Sequence, residues 1–175
     1  IYSIAAYNKA TGKPSVYADA TAATAVKALV QTQSEAIMAG DMEAYAATVA
    51  PDFFEAGRTK ARNIEETKAF AEQLNAYRTD YPEVSFAAVN AGVFVDGDLF
   101  VYQATRIVSG SDGERSDVID TIDVFDYFKV EDGKAIFYGS HSRFFLDSVE
   151  SKATGATETF RVYLPEGYFD AGNVD

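Results

Sequence analysis

Apolar residues recur along the first half of the chain at three- and four-residue intervals. After Asp19, a good N-cap, an Ala-rich stretch carries Val26, Leu29, Val30, Gln33 and Ile37 on one face and stops at Gly40, which predicts a first helix. Asp41 caps a shorter helix with Tyr45, Ala46 and Val49 facing inward, ended by Pro51, and residues 53–56 read as a short strand. Asn63 followed by Glu66 has the outline of a capping box, and Ile64, Thr67, Phe70, Ala71, Leu74 and Tyr77 continue it as a third helix. Beyond Tyr81 and Pro82 the period falls to two. Runs of alternating residues are punctuated at Asp96-Gly97, at residues 110–113 and at Asp132-Gly133, the marks of hairpins in an antiparallel meander.

Helices first and a long antiparallel sheet afterwards define an α+β chain with its helices covering one face of a curved sheet. Residues 1–18 lack either period and are expected to form an arm or an added strand. Residues 19–147 form the domain, and residues 148–175, richer in Ser, Thr, Gly and Glu, form an extension in which residues 159–164 suit a further strand. The chain opens on Ile1 rather than Met, so residues upstream are expected.

The 175 residues include 15 Lys plus Arg against 27 Asp plus Glu, a formal net charge of -12 with no basic run, which argues against nucleic acid and anionic membrane as partners. No stretch approaches the roughly 18 apolar residues of a membrane span. Eleven Tyr and thirteen Phe exceed what a core of this size needs, pointing to an aromatic-lined cavity or interface, or simply to aromatic strands. With no Cys and one His, a disulfide scaffold, thiolate catalysis and the usual zinc sites are out, and no metal or other cofactor is expected. The compartment stays open.

Simple alternation over residues 118–130 places Val118, Asp120, Ile122, Val124, Asp126, Phe128 and Val130 on one face, so two carboxylates share an apolar surface. Asp126, flanked by Val124 and Phe128, is the more informative. An ionised carboxylate in such a place either finds donors or keeps its proton, and a protonated one is a hydrogen-bond donor and general acid. An Asp satisfied by a neighbouring Arg, Tyr or main-chain N–H is the alternative. Over residues 134–146, Ile136, Tyr138, Ser140, Ser142 and Phe144 form one face, suited to a cavity wall. The other carries Ala135, Phe137, Gly139, His141, Arg143 and Phe145, which assigns His141 to the outer face or an interface.

The order of these elements, with Ala39-Gly40-Asp41, Ala50-Pro51-Asp52-Phe53, Asn63-Ile64-Glu65-Glu66 and the run from Phe125-Asp126-Tyr127-Phe128 to Asp132-Gly133-Lys134, resembles the SnoaL-like polyketide cyclases of the nuclear transport factor 2-like superfamily over about residues 24–147. The resemblance implies a cone-shaped sheet wrapped on N-terminal helices, a cystatin-like α+β barrel, with an apolar pocket at its open end and a homodimer through the outer sheet face. It also puts Asp126 where many members place the acid that meets the substrate oxygen. Arg106, at strand spacing from Tyr102 and Ala104, would enter the same pocket, either to pair with Asp126 or to bind an anionic group. The position matching the ketosteroid isomerase base is close to Gly57, with Glu55 two residues back, and that matching its oxyanion tyrosine is close to Gln33. Ser140 stands where the epoxide hydrolases have an Asp, so neither activity carries over.

Residues and resemblance together imply a cofactor-independent enzyme acting by general acid/base catalysis on an apolar, oxygen-bearing small molecule through cyclisation, isomerisation or dehydration. Its expected catalytic residues are Asp126, Glu55 and Arg106, and its expected substrate-binding residues are Gln33, Tyr45, Tyr102, Phe128, Tyr138, Ser140 and Ser142. The alternatives are a non-catalytic small-molecule-binding module and a protein-interaction or assembly domain.

Overall fold

The chain turns from helices to sheet where the hydrophobic period changes. The computed structural model describes residues 16–55, 58–139, 148–150 and 157–159, with side chains for residues 16–53 and 58–139. Helix α1 (Ala20–Ala39) opens where the Asp19 carboxylate accepts the Ala22 N–H at 2.8 Å. It closes at Gly40, whose φ of +70° lets its N–H reach the Ile37 carbonyl while Asp41 N–H reaches that of Ala36. Helix α2 (Met42–Ala47) starts at once, because the Asp41 carboxylate caps Ala44 N–H at 3.0 Å. Strand β1 (Phe54–Glu55), which begins one residue later than expected while Ala56 lies outside the described residues, pairs with β2 (Arg58–Thr59), and helix α3 (Lys60–Tyr77) follows.

Helix α3 begins before the expected capping box. Thr59 is its N-cap, without a side-chain bond, and Asn63 and Glu66 lie inside the helix. Their side chains are engaged elsewhere: Asn63 Oδ1 accepts from the Tyr45 hydroxyl at 2.8 Å, and Glu66 pairs with Arg58 and Arg62 at 3.2 Å each. Lys60 Nζ, bonded to the Val49 carbonyl at 2.8 Å, pins the first turn.

Strands β3 (Glu83–Asp96), β4 (Leu99–Ser111), β5 (Ser116–Glu131) and β6 (Lys134–Gly139) form an antiparallel meander in that order. Asp132 and Gly133, at φ +52° and +73°, make the two-residue turn between β5 and β6 that right-twisted strands favour. At the sheet edge, Val16 and Ala18 exchange backbone bonds with Val95 and Val93, and the Tyr17 and Phe94 rings lie 4.7 Å apart, so this end of the arm is an added strand segment. Strands β7 (Ser148–Glu150) and β8 (Thr157–Thr159) pair as a separate hairpin, and residues 160–164 lie outside the described residues.

Three bulges interrupt the meander, and each reverses the faces beyond it. In β3 the register shifts between Val89 and Gly92, with Asn90 at φ +54°; this turns Val93 and Val95 inward after Val84, Phe86 and Ala88. In β5, Val108 pairs with Asp120 but Ser109 pairs with Val118, so Ile119 is the extra residue. Val118 therefore faces away from the inner row and is 66% exposed, correcting simple alternation. In β6 the extra residue is Tyr138. Phe137 pairs with inward-facing Phe128, and Ile136 with Lys129, so Ala135 and Phe137 face the core and not Ile136 and Tyr138, the reverse of the expected faces. The core gathers where the inward row of β4 and β5 meets Val26, Val30 and Ile37 of α1, Tyr45 and Val49, and Leu74 of α3.

Candidate functional site

Between the inner face of the sheet and the three helices lies a cavity of about 250 Å³, a little below the usual range of ligand pockets, which starts at about 300 Å³. The sheet contributes Phe86, Arg106, Ile122, Val124, Asp126 and Phe137, α1 and α2 contribute Gln33, Ile37 and Tyr45, and α3 contributes Asn63, Glu66, Thr67 and Phe70. Periodicity explains both walls. Ile122, Val124 and Asp126 are alternate residues of β5, while Asn63, Thr67 and Phe70 occupy one face of α3 at i, i+4 and i+7.

Register places the two charged groups. Asp126 stands opposite Tyr102, and Arg106 stands opposite Ile122, all on the inner face. Arg106 Nη2 donates to Ser34 Oγ at 2.6 Å, and its guanidinium carbon lies 4.4 Å from the centre of the Phe86 ring. Phe86 in turn meets Phe70 edge-on at 5.2 Å. Burial pushes the Tyr45 hydroxyl up to about 12; the charge of Asp126 adds to this, while hydrogen bonds with Thr67 and Asn63 and the charge of Arg106 oppose it. Tyr102 is also raised, first by burial and then by Asp126, against an opposing effect of Arg106. Both phenols are therefore neutral donors at ordinary pH, and Asp126 is near enough to bias each.

Of the residues expected to form the site, the fold brings Asp126, Arg106, Gln33 and Tyr45 together on this cavity. Gln33 is turned to Thr48, whose hydroxyl takes its carboxamide N–H at 3.0 Å and itself donates to the Tyr45 carbonyl at 2.6 Å. Tyr102 and Phe128 belong to the packed core: both are buried, in edge-on contact at 6.4 Å, and they back the cavity from the closed side. Tyr138 is drawn away by its bulge and carries Lys129 Nζ over its ring at 4.0 Å. The backbone of Glu55 pairs with Arg58, but its side chain, like Ser140, His141 and Ser142, lies outside the described residues. Asp120 shares the inner register yet is exposed, its carboxylate accepting the Thr121 N–H at 2.8 Å.

Ser34, Asn63 and Phe86 are site residues that sequence reasoning missed. A signal existed for two of them. Ser34 beside Gln33 makes a polar pair next to an apolar stripe, and Asn63 extends the Thr67–Phe70 stripe by one turn. Among the described residues no three His, Cys, Asp or Glu side chains gather as a metal site, and no helix is long and apolar enough to cross a membrane.

No protein-family model matches the chain, and no curated protein matches its sequence. Solved structures do share its fold. One is an NTF2-like (nuclear transport factor 2-like) protein with a cystatin-like fold from Novosphingobium aromaticivorans, at TM-score 0.54 and 14% identity over 67% of this chain and 77% of that one. Another is an NTF2-like protein of unknown function from Pseudomonas putida, at 0.54 and 12% over 81% and 96%. A third, from Streptomyces avermitilis, is described as a proposed dehydratase of the NTF2-like family, at 0.50 and 12% over 68% and 92%. The chain thus has the α+β fold of NTF2-like proteins: N-terminal helices against a curved antiparallel sheet.

Proposed function

We propose that the cavity binds an apolar, oxygen-bearing small molecule and that Asp126 moves a proton on it. The observation that carries this reading is the placement of Asp126 on a cavity wall among Ile37, Phe70, Phe86, Ile122, Val124 and Phe137, with the polar groups of Gln33, Tyr45, Asn63, Glu66, Thr67 and Arg106 completing the lining. As a carboxylate, Asp126 takes a proton from the carbon beside a substrate carbonyl; as the resulting acid, it returns that proton to another carbon, for isomerisation, or to a departing hydroxyl, for dehydration. Cyclisation uses the same enolate as its nucleophile. The neutral hydroxyl of Tyr45 lies on the helix side of the same cavity as a donor for the developing oxyanion, once it exchanges Asn63 for the substrate. The resemblance to SnoaL-like cyclases and the dehydratase proposal for the Streptomyces avermitilis protein support this class of chemistry.

The test is deuterium uptake by 2-tetralone, an enolisable apolar ketone, followed by NMR in heavy water. The wild-type chain should accelerate exchange, and Asp126→Asn should lose about 10²- to 10⁴-fold of that acceleration while keeping the fold. Equal rates for the two proteins would remove Asp126 from any mechanism. One observation favours a second reading, a binding module that leaves its ligand unchanged: the Gln33 carboxamide and the Tyr45 hydroxyl are already bonded within the protein. Recovery of an unaltered natural ligand from the purified chain would select it.

A further inference from the structure

We infer that Arg106 is the seat of a carboxylate, and that the cavity takes an apolar monocarboxylic acid with its anionic end on Arg106 and its reacting end toward Asp126. This inference rests on the reading of the cavity as a small-molecule site and names the class of molecule.

The guanidinium is held before any ligand arrives. Ser34 gives its one hydroxyl proton to the Val30 carbonyl at 3.0 Å, which leaves an oxygen lone pair to accept Arg106 Nη2 at 2.6 Å. The face of Phe86 supports the guanidinium from one side at 4.4 Å. Orientation by a hydrogen bond and a ring lowers the ordering cost of a later partner and presents the planar fork that matches a carboxylate.

The bond to Ser34 uses one of the five N–H donors of the group. Among the described residues Arg106 enters no ion pair: those present are Arg58 and Arg62 with Glu66, Arg115 with Asp117, and Lys129 with Asp52. A partly buried cation in an apolar wall carries a desolvation cost that an incoming anion offsets, and Arg–carboxylate bonds are among the stronger ones.

The charges on the lining also select the charge of the ligand. Among the described lining residues Arg106 is the one cation, and Asp126 and Glu66 are the carboxylates, Glu66 being engaged with two arginines. A monoanion is balanced by Arg106, whereas a dianion such as a phosphate monoester would leave one charge uncompensated on a lining whose other described charges are carboxylates. Arg106 and Tyr102, the residue opposite Asp126, lie four residues apart on β4, about 13 Å of strand. Ile122 and Val124 line the interval, so the two ends of the ligand are separated by an apolar body.

Titration calorimetry with 3-phenylpropanoate and its uncharged counterpart 3-phenylpropanamide tests this on the intact chain. The wild type should bind the carboxylate at least tenfold tighter than the amide. Arg106→Gln should abolish that preference while keeping its affinity for the amide, and Ser34→Ala, which leaves the charge in place but unpinned, should lose part of it. Equal binding of both probes by the wild type, or an undiminished preference in Arg106→Gln, overturns the inference and leaves the small-molecule cavity standing. Should Arg106→Gln fail to fold, Ser34→Ala decides, and an undiminished preference there counts against the pinned seat. Failure of both probes to bind the wild type overturns the inference and the cavity reading together.

Discussion

The inner surface of the sheet has a closed end and an open end, both built on aromatic pairs at the same spacing. At the closed end Phe137 lies 5.0 Å from Phe53 and 5.3 Å from Phe128, and Phe128 is 0% exposed. At the open end Phe70 and Phe86 lie 5.2 Å apart, yet both are only half-buried and front a cavity. Ring contact alone therefore does not decide whether an end is sealed. The closed end is tied across by main chain, with Phe137 N–H bonded to the Thr48 carbonyl at 2.9 Å and Ala50 N–H to the Phe137 carbonyl at 2.8 Å. At the open end the helices present polar tips, Ser34, Asn63 and Thr67. These bond side chains, Ser34 to Arg106 across to the sheet and Asn63 and Thr67 to Tyr45 between helices, and no main-chain tie of the kind at the closed end is formed there among the described residues.

The difference is largest in stability. Phe128→Ala should cost about 3–5 kcal/mol in urea denaturation, as for a fully buried ring, whereas Phe86→Ala should cost about 1–2 kcal/mol because that ring is already partly wet. Equal losses would erase the distinction between the ends.

The boundary between them titrates. Tyr45 is raised in the folded chain from 10.0 to about 12, so above pH 10 the unfolded chain loses this proton while the folded chain keeps it. Its contribution is complete below pH 10 and disappears as pH rises toward 12, a loss of about 2–3 kcal/mol at about 1.4 kcal/mol per unit. Stability curves from pH 9 to 12 should fall less steeply in Tyr45→Phe than in the wild type, the slope that remains being that of the other raised tyrosines, Tyr102 among them.

The smallest effect should not discriminate between the ends. Asp19 caps α1, which borders both, so Asp19→Ala should lower stability by about 1 kcal/mol with no change in the Phe128 to Phe86 difference. A changed difference would show that α1 braces one end alone.

Much of this architecture was legible from neighbouring residues. Asp19, Gly40 and Asp41 mark helix ends because a cap needs only groups within a turn, and both the meander and the pocket position of Asp126 and Arg106 follow from period-two spacing on β4 and β5. The errors arose where distant partners intervened. Asn63 and Glu66 look like a capping box until Tyr45 and two arginines claim them. Phe137 faces inward and Ile136 does not because the two-residue turn at Asp132-Gly133 sets β6 against β5 with Phe137 opposite Phe128, and Val118 leaves the inner row because Ile119 is an extra residue in β5.

Local order along the chain, its helices, turns and alternating strands, is thus written in intervals of two to four residues, the range over which backbone geometry repeats and side chains meet. Which face turns inward past a bulge, which end of the sheet is sealed, and that Ser34 should pin Arg106 across 72 residues of chain depend on pairings between remote segments. Those pairings are settled only when the segments pack, because a cavity is the volume left between surfaces, and no stretch of sequence contains both of its walls.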